Sequence, residues 1–139
     1  MNRLFQIFSI ILLASAALCS CSTFSDTYIE NGTIIITGTV SEIDTKQPVE
    51  GVKMIFTAYP SDGTSVYPAA ALNAYTDSKG TFNIKTEGVN SAVTCRIISE
   101  HPGYSQVTKE IIVNWSGTSY DASTGIFYVN DCDFHLEKK

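Results

Sequence analysis

Apolar and polar residues alternate along most of this chain with a repeat of two. In residues 51–59, for example, Val52, Met54 and Phe56 fall on one side of an extended backbone. This alternation indicates strands with one face on a core. From residue 33 onward, no stretch of ten residues has helical periodicity, and Gly, Asn, Asp or Pro interrupts the chain every eight to twelve positions. The pattern predicts an all-β domain.

The interruptions separate about seven short strands. The pattern predicts strands at residues 33–43, 51–59, 71–76, 81–86, 92–100 and 108–115, and one or two more within 126–136. Longer loops are expected at residues 60–68 and 116–125. Short strands with regularly spaced turns are typical of a β-sandwich of about a hundred residues.

The first twenty residues follow a different pattern. After the single charge of Arg3, residues 4–18 are almost all apolar and carry no charge. A membrane-spanning helix needs about twenty such residues, so this stretch has the length of a signal-peptide core. Residues 22–33 are polar and turn-rich, which is typical of a short tether.

The end of this segment, Leu18-Cys19-Ser20-Cys21, resembles the lipobox of bacterial lipoproteins. The resemblance implies cleavage after Ser20 and acylation of Cys21, and two or three acyl chains hold a protein on a membrane durably. An ordinary secretory signal cut near Ser20, without lipid, is the alternative. The predicted organisation is a signal peptide at 1–20, a lipidated cysteine and tether at 21–33, and one domain at 34–139.

Several turns of that domain carry family motifs. Residues 37–40 with 47–53, the hairpin at 75–84 and the pair Gly103-Tyr104 resemble the carboxypeptidase regulatory-like, or prealbumin-like, domain. The resemblance implies a seven-stranded prealbumin-like or Ig-like β-sandwich behind the signal peptide. The whole chain is similar to small lipoproteins of the Bacteroidetes group. Turn residues explain these motifs, because glycine permits a positive φ and proline fixes its own.

The charge distribution excludes one class of partner. The chain has a net charge of −5, and its clustered positive residues are Lys138 and Lys139 at the end. Binding to nucleic acid depends on neutralising phosphates with Lys and Arg, so no nucleic-acid partner is expected. We expect the membrane to be contacted through the N-terminal lipid.

Two cysteines remain in the predicted domain. By period-two alternation Cys95 and Cys132 both face the core. In an exported protein they could form a disulfide. Alternation does not show that their Cα atoms lie within about 6 Å of each other, so two separate buried thiols remain the alternative. A zinc site needs more ligands than these cysteines provide, and no metal is expected.

Candidate catalytic residues are scarce. His101 and His135 lie far from any nucleophile motif such as G-x-S-x-G. Transthyretin-like hydrolases, which the resemblance brings into consideration, have a histidine near the start of the domain and a Tyr-Arg-Gly-Ser ending. This chain has neither feature and ends with residues 134–139 as Phe-His-Leu-Glu-Lys-Lys. The sequence therefore predicts that the chain is not an enzyme and has no cofactor.

Aromatic residues beside the long loops are the remaining candidates. Trp115 and Tyr120 form the candidate binding loop for a glycan or an envelope protein, although such rings also fill sandwich cores. The predicted function is a non-enzymatic, lipid-anchored cell-envelope lipoprotein acting as a binding or structural module. An accessory subunit of a nutrient-uptake or fimbrial assembly is the alternative, and a transthyretin-like hydrolase is the third. The expected location is the outer membrane, on its periplasmic face or at the cell surface.

Overall fold

The computed structural model describes residues 32–61, 70–89, 92–114 and 119–139. The predicted signal peptide, Cys21 and nearly all of the tether lie outside these ranges. None of the described segments forms a helix long and apolar enough to cross a membrane. The strands are β1 Gly32–Glu42, β2 Lys53–Pro60, β3 Ala70–Tyr75, β4 Thr81–Val89, β5 Val93–Glu100, β6 Val107–Val113, β7 Ser119–Asp121, β8 Ile126–Val129 and β9 Phe134–Leu136.

These strands form two sheets packed as a sandwich, which confirms the predicted fold class. One sheet has the order β4-β1-β8-β7, with β9 also paired to β1, and the other has the order β3-β2-β5-β6. The inward positions of both sheets build one core, whose largest fully buried side chains include Phe56, Phe82, Phe127 and Phe134. The alternating pattern of the sequence therefore placed the core face correctly.

Strand β1 is the centre of the five-stranded sheet. It pairs antiparallel with β4 on one side and parallel with both β8 and β9 on the other. Two parallel strands that are neighbours in a sheet need a long connection. Between β1 and β8 this connection comprises strands β2 to β7, which is the greater part of the domain. The first and last described strands are thus neighbours in space, and the outward side chains of both lie on one face.

The structure differs from the sequence prediction near the end of the chain. Ser119–Asp121 forms the short strand β7 inside the predicted loop 116–125. The ring of Tyr120 lies 4.6 Å from that of Phe127, centroid to centroid. A three-residue strand among Ser, Thr and Gly has too few residues to show alternation, and its pairing depends on this tertiary contact.

The hairpin between β3 and β4 has the structure that its motif implies. One Asp77 carboxylate oxygen accepts hydrogen bonds from the amides of Lys79 (2.9 Å) and Thr81 (2.8 Å). Gly80 has a φ of 71°, a conformation that glycine adopts without strain. Phe82 then enters the core, with 2% of its surface exposed.

Thr76 ties this hairpin to the turn before β2. Its buried hydroxyl donates to the Val49 carbonyl (2.7 Å) and accepts from the Val52 amide (2.9 Å). Replacing Thr76 by valine removes both bonds and leaves two backbone groups without their partner. We expect the free energy of unfolding to fall by about 1–3 kcal/mol, measured by urea denaturation. Thr76→Ser keeps the hydroxyl and is the control; an equal loss in both variants would contradict this role.

Candidate functional site

Polar side chains on the outward positions of β1 are hydrogen-bonded to the last part of the chain. The Thr37 hydroxyl donates to the side-chain oxygen of Asn130 (3.2 Å). The amide and hydroxyl of Thr39 both donate to one carboxylate oxygen of Asp133, each at 2.8 Å. These contacts join the two ends of the domain on the solvent side of the five-stranded sheet.

The third contact joins Ser41 and His135, whose hydroxyl oxygen and Nδ1 atom are 2.9 Å apart. The sequence prediction that His135 faces outward is confirmed, since this side chain is exposed. We call the resulting surface the polar face. It consists of Thr37, Thr39 and Ser41 on β1 and of Asn130, Asp133 and His135 beside them.

A one-residue bulge keeps these partners on the same side. Ile35 is opposite Tyr128 and Val40 is opposite Phe134, so the last segment holds one more residue than β1 over this span. The extra residue falls at Asp131, which has a φ of 58°. Such a backbone is uncommon for a residue other than glycine, although Asp tolerates it better than most. Bulges of this kind re-aim side chains and are frequent beside functional sites.

Strand β4 extends the same surface on the other side of β1. Its outward residues Thr81, Asn83 and Lys85 are opposite Thr39, Thr37 and Ile35. The Lys85 ammonium makes an ion pair of 2.8 Å with Glu87. The surface is therefore three strands wide, with Tyr128 and Ile35 at the apolar end and His135 with Ser41 at the polar end.

Asp133 is the most strongly held charge on the polar face. The Thr39 hydroxyl, and after it the Thr39 amide, lower the pKa of this carboxyl, while partial burial acts in the opposite direction. The charges of His135 and Lys109 lower the pKa further. The carboxylate is therefore ionised throughout the physiological range and remains an acceptor.

This lowered pKa predicts a loss of stability in acid. A carboxyl whose pKa is lower in the folded state stabilises the fold above its ordinary pKa of about 3.9, and this contribution disappears as the pH falls through the folded-state value. We expect the difference in unfolding free energy between the native protein and Asp133→Asn to shrink from about pH 6 to about pH 2. Denaturation at a series of pH values measures it, and a difference independent of pH would contradict the assignment.

Lys109 connects the four-stranded sheet to the polar face. Its ammonium nitrogen lies 5.1 Å from the centre of the Phe134 ring, and it donates a hydrogen bond to the Asp133 backbone carbonyl. A cation above an aromatic face is attracted by the ring. Lys109 thus holds the segment that carries Asp133 against β6.

The two cysteines lie inside the sandwich, as predicted. Cys95 is 0% exposed and Cys132 is 6% exposed, and both are free thiols. Burial, and after it the nearby Cys132, raise the pKa of Cys95 to about 12. A thiol with so high a pKa has almost no reactive thiolate near neutral pH. The two thiols are not bonded to each other in this structure, and the disulfide between them stays a prediction.

His101 belongs to a separate cluster. Its Nδ1 atom accepts a hydrogen bond from the Gly103 amide (3.1 Å), and its ring lies 5.2 Å from the Tyr104 ring. The Tyr104 hydroxyl donates to a Glu42 carboxylate oxygen (3.1 Å). The cluster closes the end of β1 next to the C-terminal residues. In the part of the chain that the structure describes, no group of three or more His, Cys, Asp or Glu side chains could hold a metal ion.

The candidate binding loop is only partly described. Trp115 lies outside the described residues. Tyr120 is half-buried and packs against the core through its contact with Phe127. The assignment of Trp115 and Tyr120 to a binding loop stays a prediction, and the polar face is a candidate that the sequence did not single out.

Comparisons with known proteins find a similar fold in solved structures of low sequence identity. No family model and no curated protein matches the chain. It is similar to the dioxygenase domain of a dioxygenase carbohydrate-binding protein fusion from Streptomyces sp. SirexAA-E, with a TM-score of 0.57 and 13% identity over 81% of this chain and 84% of that one.

Two further enzymes show the same likeness. Catechol 1,2-dioxygenase from Acinetobacter radioresistens has a TM-score of 0.54 at 16% identity, over 83% of this chain and 54% of that one. Hydroxyquinol 1,2-dioxygenase from Pseudomonas putida DLL-E4 has a TM-score of 0.52 at 12% identity, over 80% and 58%. The chain thus spans little more than half of these enzymes. At such identities the likeness shows the shared fold.

These comparisons correct the sequence prediction of function. The prediction of a non-enzymatic module, its accessory-subunit alternative and the statement that the chain is not an enzyme are contradicted, because the similar structures are enzymes that share this sandwich. The prediction rested on the absence of hydrolase motifs around His101 and His135. Those motifs belong to acyl-transfer chemistry, and their absence does not bear on oxygenases.

Proposed function

We propose that this chain is an exported lipoprotein, acylated at Cys21 and held at the outer membrane, and that the partner of its sandwich is a glycan or an envelope protein. The observation that carries the proposal is the order of the N-terminal features: an uncharged and mostly apolar stretch at residues 4–18, the lipobox-like Leu18–Cys21, and a polar tether before β1. The acyl chains would restrict the domain to the membrane surface, within reach of envelope polymers.

The proposal includes the carboxypeptidase regulatory-like type of sandwich. Its support is that motif residues fill the backbone roles expected of them. Gly51 has a φ of 73° at the turn before β2, and Gly80 has one of 71° before β4. Tyr104 finds a hydrogen-bond partner in Glu42. This support is structural and does not name a ligand.

Metabolic labelling with an alkyne palmitate tests the anchor. We expect the full-length protein to carry the label and to fractionate with the outer membrane, and Cys21→Ser to lose both properties. Cys19→Ser is the matched control, because it changes a cysteine two residues away and should keep the label. A label lost in Cys19→Ser and kept in Cys21→Ser would contradict the assignment. Protease treatment of intact cells then determines the membrane face, for which the periplasmic side is proposed.

A second candidate function is oxidative ring cleavage, and the fold shared with catechol and hydroxyquinol dioxygenases favours it. Reaction with dioxygen requires a redox-active metal or an organic cofactor. Among the described residues, no three His, Cys, Asp or Glu side chains are grouped so that they could hold a metal ion. His101 and His135 also belong to different clusters. His101 is hydrogen-bonded to the Gly103 amide, and His135 to the Ser41 hydroxyl.

Oxygen consumption with catechol or hydroxyquinol tests this candidate. Consumption by the purified lipoprotein that depends on added iron, and that forms a ring-opened product, would support it. Absence of turnover with both substrates, with iron present and with the protein shown to be folded by its thermal transition, would exclude ring cleavage of these two compounds.

A further inference from the structure

Cys95 and Cys132 enter the core of the sandwich from opposite sheets. Cys95 lies on β5 of the four-stranded sheet, and Cys132 lies between β8 and β9 of the other sheet. The Cys132 amide donates to the Thr37 carbonyl at 3.0 Å, which places this residue directly beside β1. Both thiols are buried and belong to one hydrophobic cluster. Two nucleophilic side chains from facing sheets thus share the same interior.

The two sheets are stacked so that β5 lies opposite the segment that carries Cys132. On one side of the sandwich, β3 contacts β4 through their hairpin. On the other side, β6 contacts β9, and the Lys109 ammonium is bonded to the Asp133 carbonyl. The strand orders β3-β2-β5-β6 and β4-β1-β8-β7 therefore run in the same direction. Because β5 is the inner neighbour of β6, it faces the segment beside β1.

The two cysteines also lie at similar heights along the strands. Cys95 is paired with Ile111, which is two residues from Lys109 on the same side of β6. Cys132 directly precedes Asp133, whose carbonyl Lys109 contacts. Each thiol is therefore within two residues of this contact, or about 7 Å along a strand. Burial, and after it Cys132, raise the pKa of Cys95 to about 12, and such an effect between two groups weakens with distance.

Small residues beside both thiols leave room for a bond between them. Ala58 on β2 is directly opposite Cys95 and is completely buried. Gly38 on β1 lies against Cys132, where a Cβ would be 2.6 Å from the Cys132 carbonyl carbon. A disulfide requires Cα atoms about 4.4–6.8 Å apart, and bulky neighbours would hold the two segments further from each other. Disulfides between facing sheets are compatible with a sandwich.

We propose that Cys95 and Cys132 form a disulfide between the two sheets while the exported chain folds. The thiolate of one cysteine attacks a sulfur of an oxidant, a protein disulfide of the envelope, and the other oxidant sulfur leaves as a thiolate. The second cysteine then attacks the mixed disulfide and releases the oxidant. The two cysteine thiols lose two protons and two electrons, and the oxidant disulfide becomes two thiols. The inference rests on the proposed export, because disulfides persist in oxidising compartments.

Burial restricts this reaction to the chain before its core has closed. In the folded domain Cys95 is 0% exposed and has almost no thiolate near neutral pH, whereas a cysteine in an unfolded chain has a pKa of about 8.5. A domain that folds without the oxidant therefore stays a dithiol, which is the form of this structure. The cross-link would hold the segment that carries Asp133 and His135 against β5.

Peptide mapping of the full-length lipoprotein, extracted from the envelope in denaturant with N-ethylmaleimide, tests the bond. Trypsin cuts after Lys and Arg, so Cys95 falls in the peptide 86–96 and Cys132 in the peptide 110–138. We expect these two peptides to be joined without reductant and to separate when reductant is added. The inference is overturned if both peptides carry the maleimide label. No variant is needed, so this result does not depend on how a substituted core folds.

A glutathione redox buffer tests when the bond forms. Added to the folded dithiol, it should leave both thiols free; present during refolding from urea, it should give the cross-linked form. We expect the Tm of the cross-linked form to be higher by about 10 °C or more. Cys132→Ala is the control, and its Tm should not depend on reductant. Equal Tm values for the two forms, or equally fast oxidation of folded and unfolded protein, would contradict the proposal.

The outcome for the disulfide can be separated from the outcome for the anchor. A protein that carries the palmitate label and has two free thiols would refute the disulfide alone. A protein that contains the joined peptides but lacks the label would refute the anchor alone.

Discussion

Replacing Phe134 by alanine will lower the free energy of unfolding by about 3–5 kcal/mol. Phe134 is completely buried and its ring packs edge-on against Phe82, with centroids 5.9 Å apart. Truncation removes the transfer energy of the ring and leaves a cavity between the sheets, because the surrounding strands relax only in part. Chemical denaturation of the purified protein measures the change.

The loss should extend beyond the core. Phe134 is the first residue of β9, and its two neighbours in the chain, Asp133 and His135, belong to the polar face. Its ring also lies beneath the Lys109 ammonium. Tyr75→Ala removes a comparable ring from an exposed position and should change stability by about 0.5 kcal/mol or less. Equal losses in the two variants would show that Phe134 does not have the packing described here.

The sequence predicted correctly those structural features that depend on residues close together along the chain. Alternation placed Met54 and Phe56 inside and His135 outside, and both assignments are confirmed. The Asp77–Gly80 turn could also be predicted from the sequence, because its hydrogen bonds and the positive φ of Gly80 involve only residues within the turn and directly after it. Strand β7 was missed because three residues show no period, and what fixes it is the contact of Tyr120 with Phe127.

The candidate site depended on information that the sequence does not display. Thr39 and Asp133 are 94 positions apart, and alternation says that both face outward without saying that they meet. Their meeting requires the parallel register between β1 and the last segment. It also requires the extra residue at Asp131, whose positive φ no pattern of apolar residues reports. One-residue register differences move every later side chain to the other face, so the site could be found only from the structure.

The predicted function was wrong for the same physical reason. A β-sandwich is a scaffold, and its chemistry comes from side chains brought together by pairing across the sheet. Motif searches around His101 and His135 could test only chemistry that leaves local signatures. The likeness to dioxygenases shows that this scaffold also occurs in enzymes, and the contacts between β1 and the last segment are found only in the structure.

Replacing Gly38 by alanine will also lower the free energy of unfolding strongly, although the substitution adds a single methyl group. A Cβ at Gly38 would lie 2.6 Å from the Cys132 carbonyl carbon, closer still to its oxygen, and 3.0 Å from the Phe82 ring. The Cys132 amide donates to the neighbouring Thr37 carbonyl at 3.0 Å, so the backbone cannot withdraw without breaking this bond. Overpacking of this kind costs about 1–3 kcal/mol or more, and we expect a value near 3 kcal/mol.

Gly103→Ala is the control for this prediction, because a Cβ there meets only His101 at an ordinary 3.6 Å. Its stability should stay within about 0.5 kcal/mol of the native value, since the substitution touches no tight contact. Gly38→Ala also pushes apart the two segments that the bulge at Asp131 brings together. Full stability in Gly38→Ala would mean that β1 and Cys132 are not in the close contact on which the position of Asp133 depends.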